Sequence, residues 1–332
     1  MRSSTSNSKE EPRSRRGTIA SGFFVCMAIL YYAGIEWQAR LYDAHVASIE
    51  RRYEDYNDAL DFGKRPDSSM RMLVLGNSLL LQGVRFDELK DALSPRIDAK
   101  QYLILNTTYF DWYYTLVKMF NSGARPEIVV LVLSPRQFVS WNVREDYFAR
   151  HLMRARDIFA VARDLKLSNT QASNLAFSRL SQFFDSRAQI RNEAAKAVFP
   201  NLGPLMSLMT RVQNAPPIGG DGDRLESVAA ERLRSLRELA AQWNTKIILV
   251  IPPSDGGRGN PAAYAIQSAG SAAGVPVLVP VAPGSFKADH YADGFHLNKL
   301  GAETFTPRLI AALQKETAIY TTRKASQVAG RK

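Results

Sequence analysis

Apolar residues follow two patterns along this chain. Continuous apolar runs, which predict buried strands, occupy residues 72–75, 102–105, 128–133, 247–251 and 275–279. Between most of these runs, apolar residues recur every three or four positions, which predicts amphipathic helices. Apolar strands that alternate with helices are typical of a parallel sheet covered on both faces. The pattern predicts a three-layer α/β/α fold, with a central parallel sheet of about five strands, in a domain spanning 70–315.

The alternation is interrupted after the third predicted strand. Residues 141–225 contain no strong strand, several basic amphipathic helices (157–165 and 186–198 among them) and a Pro/Gly-rich exit, NAPPIGGDGD. We interpret this segment as a helical insertion at the strand ends, where loops often carry function. A lid, a partner surface and simple packing are all open as its role.

The N-terminal region has the composition of a membrane anchor. Residues 17–35 form 19 positions without a charge, close to the roughly 20 that cross a bilayer. Three arginines precede the run and Glu36 follows it, so the positive-inside rule places residues 1–16 in the cytoplasm. We predict a transmembrane helix at 17–37 in the inner (cytoplasmic) membrane, with the domain on the periplasmic or extracellular side. A cleaved signal peptide and a buried core helix are the alternatives.

The segments on either side of the domain look less ordered. Residues 38–69 predict a charged helical stalk, interpreted as solvated, followed by a linker rich in Gly, Pro and Ser. The last helix is predicted at 299–314, with Pro307 as a kink, and the polar, basic residues 316–332 as a disordered tail.

The charge and cysteine content exclude several classes. Of the net charge of +11, residues 1–16 carry +3, residues 315–332 carry +4 and the insertion carries +4. Most of the positive charge therefore lies in the two terminal segments. A nucleic-acid-binding domain usually concentrates its charge on a folded face, so nucleic acid is not expected as a partner. The single cysteine, Cys26, rules out a disulfide framework. No His/Cys/Asp cluster has metal spacing and no phosphate loop is present, so we predict no cofactor and no metal.

Candidate chemistry lies at opposite ends of the domain. Ser78 follows the first strand in the turn Gly76-Asn77-Ser78, at the carboxyl end of the sheet, where α/β folds place their sites. Asp293 and His296 stand three residues apart before the last helix. Serine-dependent acyl transfer needs a base for the hydroxyl proton and a carboxylate to orient that base. Ser78, Asp293 and His296 are therefore the predicted catalytic residues.

These motifs resemble those of the SGNH (GDSL-type) hydrolase superfamily. In that family the nucleophile lies in a Gly-Asp-Ser turn, and the base lies in Asp-x-x-His-x-x-x-x-Gly, which matches residues 293–301 here. The resemblance covers about 71–135 and 246–314. Asn77 stands where the family usually has Asp. In this respect the sequence resembles the branch of the family that works beside membrane-bound O-acyltransferases on cell-surface polymers.

The resemblance is weaker where the family builds its oxyanion hole. By position, Asn106-Thr107-Thr108 matches the family's glycine block, and Ser134-Pro135-Arg136 matches its Gly-x-Asn block. Donors must point at the developing negative charge. The candidates for oxyanion or substrate binding, besides the Ser78 backbone N–H, are Asn77, Thr107, Thr108, Ser134 and Arg136.

The remaining histidines are not expected to be catalytic. His290 could compete for the role of base but lacks an acid at the same upstream spacing, and His45 and His151 are expected at the surface.

The resemblance implies an esterase or O-acyltransferase acting on O-acyl groups, with acetyl favoured, of a surface or exported polysaccharide. It also implies an integral-membrane O-acyltransferase as a partner. The alternative is a non-catalytic accessory protein that binds a glycan or that membrane partner.

Overall fold

The computed structural model describes residues 15–49, 52–61, 69–144, 147–198, 222–259 and 261–329. The helices are α1 (Arg15–Ile49), α2 (Arg52–Asp61), α3 (Ser78–Gly83), α4 (Phe86–Leu93), α5 (Tyr109–Asn121), α6 (Pro135–Val139), α7 (Ile158–Asp164), α8 (Asn169–Leu180), α9 (Gln182–Val198), α10 (Gly222–Ala241), α11 (Ala262–Ala273) and α12 (Lys299–Ala329). The strands are β1 (Met70–Gly76), β2 (Ile97–Leu103), β3 (Ile128–Val132), β4 (Lys246–Val250) and β5 (Val277–Leu278). The predictions for residues 1–14, for most of the linker (62–68) and for most of the Pro/Gly-rich exit (199–221) lie outside the described residues.

The five strands form one parallel sheet in the order β2-β1-β3-β4-β5. This confirms the predicted parallel sheet. The chain adds β2 on one side of β1 and β3 on the other, so the winding direction reverses between β1 and β3. Ligands of doubly wound folds bind outside the carboxyl ends of the strands at such a switch point. The sheet therefore places a crevice beside the end of β1.

Helices cover both faces of the sheet, which confirms the three layers. Leu73 and Leu75 of β1 pack toward α5, α10 and α11, whereas Met72 and Val74 pack toward α3, α4 and α12. Residues that alternate along a strand face opposite sides, and here both sides are buried. This double burial explains why the central strands are apolar without alternation.

The edge strands depart from the predicted limits. β2 runs from Ile97 to Leu103 instead of 102–105, because only Ile97, Ala99 and Tyr102 are buried and the partly buried polar residues Asp98 and Lys100 interrupt the apolar run. β5, predicted at 275–279, has two residues, Val277 and Leu278.

The C-terminal tail is also more ordered than predicted. α12 continues through Pro307 and past Gln314 to Ala329, so the expectation of disorder from residue 316 is wrong up to that point. Thr317 is buried, and Tyr320 packs against the core face that α12 covers. The sequence did not indicate this extension of α12, because the segment is mostly polar and the few residues that pack on the domain are far apart in it.

The two N-terminal helices differ in their surroundings. α1 is the one helix of the described chain that is long and apolar enough to cross a membrane, over Ile19–His45. Its residues 19–34 are all exposed, whereas Glu36 and Ala39 are buried against the domain. α2 packs on β2, where Ala59 is fully buried and the Tyr56 and Tyr102 rings lie 5.7 Å apart. The prediction of a solvated stalk is therefore wrong, because the end of α1 and α2 both bury residues against the domain.

The insertion is helical where the structure describes it. A π-helical turn (Phe148–Leu152), a 3-10 turn (Ala155–Asp157) and α7–α9 follow one another between residues 147 and 198. α9 begins at Gln182, four residues earlier than expected.

Candidate active site

The turn after β1 places Ser78 at the first position of α3. Gly76 is required there because a Cβ at this position would lie 2.7 Å from the Leu80 Cβ. Asn77 is fully buried; its Oδ1 accepts a hydrogen bond from the Leu79 N–H (3.0 Å) and its Nδ2 donates to the Thr107 carbonyl (2.9 Å). Asn77 thus caps α3 and ties the serine turn to the loop after β2. An ionised Asp could cap the helix but could not donate the second bond.

The segment carrying His296 is a tight loop stabilised by Asp293. Asp293 Oδ1 accepts hydrogen bonds from the backbone N–H groups of Phe295 (3.0 Å) and His296 (2.7 Å). Gly294 has a φ of 79°, which favours glycine. Gly301 lets α12 approach this loop, because a Cβ there would lie too close to the His290 carbonyl oxygen. The loop is therefore held against the start of α12.

Ser78, His296 and Asp293 form one hydrogen-bonded chain. His296 Nε2 lies 2.8 Å from Ser78 Oγ, and His296 Nδ1 lies 2.7 Å from Asp293 Oδ2. A carboxylate at Nδ1 fixes the proton there and leaves Nε2 free to accept the hydroxyl proton. The arrangement can activate Ser78 as a nucleophile.

Hydrogen bonding keeps Asp293 ionised. Partial burial acts to raise the pKa of the Asp293 carboxyl, but the backbone and ring of His296 and the backbone of Phe295 outweigh it and hold the pKa below its ordinary value of 3.8. A carboxylate ionised at neutral pH also stabilises the imidazolium that forms when His296 takes a proton.

Two groups beside Ser78 have unused donors. The Ser78 backbone N–H, at the start of α3, has no acceptor within the described residues. Asn106 is exposed, lines the same cleft and has a φ of 58°. Neither its backbone N–H nor its side-chain amide is hydrogen-bonded to any residue that the structure describes. Both groups are therefore free to donate a hydrogen bond to a ligand in the cleft.

Asn106 had not been predicted as a site residue. The available signal was the asparagine itself, because Asn tolerates the left-handed conformation better than most residues other than Gly.

Like Asn77, whose buried amide is fully engaged, three more of the predicted oxyanion or substrate residues hold loops instead. Thr107 is fully buried and its hydroxyl donates to the Ile104 carbonyl (2.7 Å). Thr108 lines the cleft, but its N–H donates to Asp111 (2.8 Å) and its hydroxyl donates to the Asn142 carbonyl. The Ser134 hydroxyl caps α6 by accepting from the backbone N–H of Gln137.

Arg136 differs from these three. It is exposed, lines the cleft, and has no hydrogen bond or ion pair with the part of the chain that the structure describes. Its guanidinium is available to an anionic group.

Asp111 supports this side of the cleft and was not singled out from the sequence. Its carboxyl accepts hydrogen bonds from the N–H groups of Arg144 (2.9 Å) and Thr108 (2.8 Å). Burial raises the pKa of Asp111 to about 7 in spite of these bonds. Asp111 joins the first turn of α5 to the loop after α6.

The cleft is wide, and polar and apolar atoms line it about equally. Its volume is about 1110 Å³, and the ends of β1, β3 and β4 open into it. Ser78, Asn106, Arg136, Arg258 and His296 line different sides of it. The cleft can accommodate an extended ligand along the edge of the sheet.

The other histidines do not enter the cleft. His290 Nδ1 lies 2.9 Å from the neighbouring Asp289, and its ring packs on Phe286. His45 is exposed. The expectation that His151 is a surface residue is wrong, because its ring stacks on Tyr147 and its Nε2 lies 3.4 Å from Asp43 of α1. Within the described residues, no group of three or more His, Cys, Asp or Glu side chains could hold a metal ion.

Comparisons with known proteins give structural similarities only. No family model matches the chain, and no curated protein matches it. An α/β hydrolase, LAE5, from the metagenome of Lake Arreo in Spain aligns at 12% identity over 73% of this chain and 94% of its own, with a TM-score of 0.37. The acetyl xylan esterase AlAXEase aligns at 13% identity over 73% and 99%, with a TM-score of 0.37. A catalytic mutant of the acetylxylan esterase Axe2 from Geobacillus stearothermophilus aligns at 12% identity over 76% and 95%, with a TM-score of 0.36. At these values the similarity does not extend to function.

Proposed function

We propose that this protein is a membrane-anchored serine esterase or O-acyltransferase that acts on O-acyl groups of a polysaccharide. The observation that carries the proposal is the hydrogen-bonded chain from Asp293 through His296 to Ser78 at the switch point of the sheet. The resemblance of its two motifs to SGNH hydrolases supports the same chemistry.

The reaction would proceed through an acyl-enzyme. Ser78 Oγ attacks the carbonyl carbon of the ester while His296 Nε2 takes the hydroxyl proton. The negative charge that develops on the carbonyl oxygen is stabilised by the N–H groups of Ser78 and Asn106. The C–O bond to the alcohol then breaks, and His296 returns its proton to the departing alcohol. A second hydroxyl, activated by His296, takes the acyl group from Ser78.

The second hydroxyl decides the product. Water would make the protein an esterase, and a sugar hydroxyl would make it a transferase. We propose acetyl as the acyl group and a surface or exported polysaccharide as the substrate. The size of the cleft and the polar side chains within its lining support a polymer segment. An integral-membrane O-acyltransferase is the proposed source of the acyl group.

We place the domain on the periplasmic or extracellular side of the inner membrane. The exposed apolar stretch of α1 supports an anchor, and the arginines before it support a cytoplasmic N-terminus.

The test is hydrolysis of an aryl acetate by the full chain in detergent micelles. We expect Ser78→Ala to lower kcat by at least about 10³-fold, as the loss of a triad nucleophile does elsewhere. Ser271→Ala, on the outer surface of α11, is the matched control and should keep the wild-type rate. Equal rates for wild type and Ser78→Ala, with no labelling of either by a serine-reactive phosphonate, would exclude the enzyme.

A second candidate function is a non-catalytic glycan-binding accessory protein that uses the same cleft. The observation that favours it is the engagement of the Thr107 and Ser134 side chains within the protein, which leaves fewer donors for an oxyanion than expected. The same assay separates the two candidates, because an accessory protein would show no hydrolysis that depends on Ser78.

A further inference from the structure

The end of the apolar stretch of α1 is bonded directly to the helical insertion. The Glu36 carboxylate accepts hydrogen bonds from the Ser181 hydroxyl (2.9 Å) and from the backbone N–H groups of Gln182 (2.7 Å) and Phe183 (3.2 Å). These groups belong to the N-terminus of α9, whose first N–H groups have no partners within their own helix. Glu36 therefore caps α9 from another helix.

The contact continues along α1. Glu36, Ala39 and Asp43 lie on one face of α1, where Ala39 is buried and Asp43 lies 3.4 Å from His151 Nε2. α9 packs beside α1. Because residues 19–34 of α1 are all exposed, α9 must lie along the later part of α1, beyond the apolar stretch. The domain is thus attached to α1 by packed side chains.

The apolar surface of α1 continues onto the corner between α8 and α9. Phe177 (57% exposed), Leu180 (76%) and Phe183 (38%) project from this corner. Leu180 directly precedes Ser181, and Phe183 itself donates to Glu36, so these side chains lie where the domain first meets α1. Trp37 and Leu41 of α1 are exposed at the same level.

Basic side chains follow the corner on α9. Phe183, Arg187 and Arg191 are spaced four residues apart, share one helix face and are all exposed. Aromatic residues at the end of an apolar surface, with arginines behind them, suit a bilayer interface, where rings lie at headgroup level and guanidinium groups reach phosphates.

We propose that the α8–α9 corner is a second membrane contact, which inserts Phe177, Leu180 and Phe183 into the interface of the bilayer that α1 crosses. Arg187 and Arg191 then face the phosphates of the lipid headgroups. The inference rests on the proposed anchoring by α1. It assigns the insertion a role in holding the domain in one orientation on the membrane, with lipid as the occupant of the exposed apolar surface.

The test places a fluorophore at the corner of the full chain in nanodiscs that contain phosphatidylglycerol. Cys26, the single cysteine, is first replaced by Ser. A polarity-sensitive dye is then attached through Leu180→Cys or, as the matched control, through Val198→Cys. Val198 is also exposed. It is the last residue of α9, 16 residues after Gln182 and roughly 24 Å from that first residue of the helix. Both sites are exposed, so neither label disturbs a packed core.

We expect the label at 180 to shift to the blue and to be quenched several-fold more strongly by brominated lipids than the label at 198. Equal, weak quenching at both sites would overturn the proposal and would leave the apolar corner to a protein partner. Extraction of the protein by alkaline carbonate would overturn it as well, since α1 would then not span. Quenching does not require catalysis, so the same result is expected with Ser78→Ala, and failure of the enzyme proposal is distinguishable.

Discussion

His296 Nε2 lies 2.8 Å from Ser78 Oγ, although 218 residues separate the two in the chain. β1 delivers the serine to the carboxyl edge of the sheet, and the loop before α12 delivers the histidine to the same edge. The hydrogen bond from His296 Nδ1 to Asp293 orients the imidazole for this contact.

Replacing His296, the proposed base, should remove activity, whereas replacing the nearby His290 should not. We expect His296→Ala to lower kcat on an aryl acetate by at least about 10³-fold, because no other described residue is hydrogen-bonded to the Ser78 hydroxyl and could take its proton. His290→Ala, whose ring contacts Asp289 and Phe286 outside the cleft, is the control and should stay within a few-fold of wild type. Similar losses in both variants would contradict the assignment of the base.

Asp293 should contribute stability that depends on pH. Its pKa is lower in the folded protein than its ordinary value of 3.8, so the folded state binds fewer protons there than the unfolded chain. This contribution is present above pH 4 and is lost as the pH falls through the folded pKa. Urea unfolding of wild type and Asp293→Asn should give a free-energy difference at pH 6 that shrinks as the pH falls below 3.8. A difference that is independent of pH would show that the pKa of Asp293 is not lowered in the folded protein.

The buried Asp111 should give the folded protein a pH dependence of stability opposite to that of Asp293. Because its pKa is raised to about 7, the folded protein retains a proton that the unfolded chain releases above its ordinary value of 3.8. Its contribution to stability is therefore fully present below pH 3.8 and falls as the pH rises to about 7. Asp111→Ser should be less stable overall, and its unfolding free energy should decline less between pH 4 and pH 7. An unchanged slope would count against a raised pKa.

Asn106 should act through its backbone. Asn106→Gly keeps both the N–H group and the left-handed conformation, so we expect kcat within a few-fold of wild type. Asn106→Ala keeps the N–H group but should cost about 1 kcal/mol of stability for its positive φ. A loss of about 10²-fold or more in Asn106→Gly would instead identify the side-chain amide as the oxyanion donor.

The buried amide of Asn77 should be needed for stability. Asn77→Asp loses the donor to the Thr107 carbonyl and buries a carboxylate beside it, which should cost about 1–3 kcal/mol in urea unfolding. The control is Asn121→Asp, an exposed position at the end of α5. Equal stability of the two variants would show that Asn77 does not fix the serine turn.

The parts of the fold and site that depend on short local patterns were predictable. Central strands such as β3 are buried on both faces and read as apolar runs. Ser78 and His296 each stand in a short motif at the end of an element, so their meeting at one edge follows from parallel strand order.

The parts that depend on tertiary packing were not predictable. The direction of the Thr107 hydroxyl follows from the path of the loop after β2, which no local pattern shows. His151 is covered by α1, a contact between segments far apart in sequence. In β2, the polar residues Asp98 and Lys100 interrupt the apolar pattern of a strand in which only Ile97, Ala99 and Tyr102 are buried.

The separation of Ser78 from His296 also has a consequence during synthesis. At about 5–20 residues per second, a ribosome needs roughly 10–40 s to add the 218 residues that lead from Ser78 to His296. The nascent chain therefore carries a serine without its base until the last helix has emerged and docked. A protein truncated before His296 would leave the ribosome with a serine that has no base to activate it.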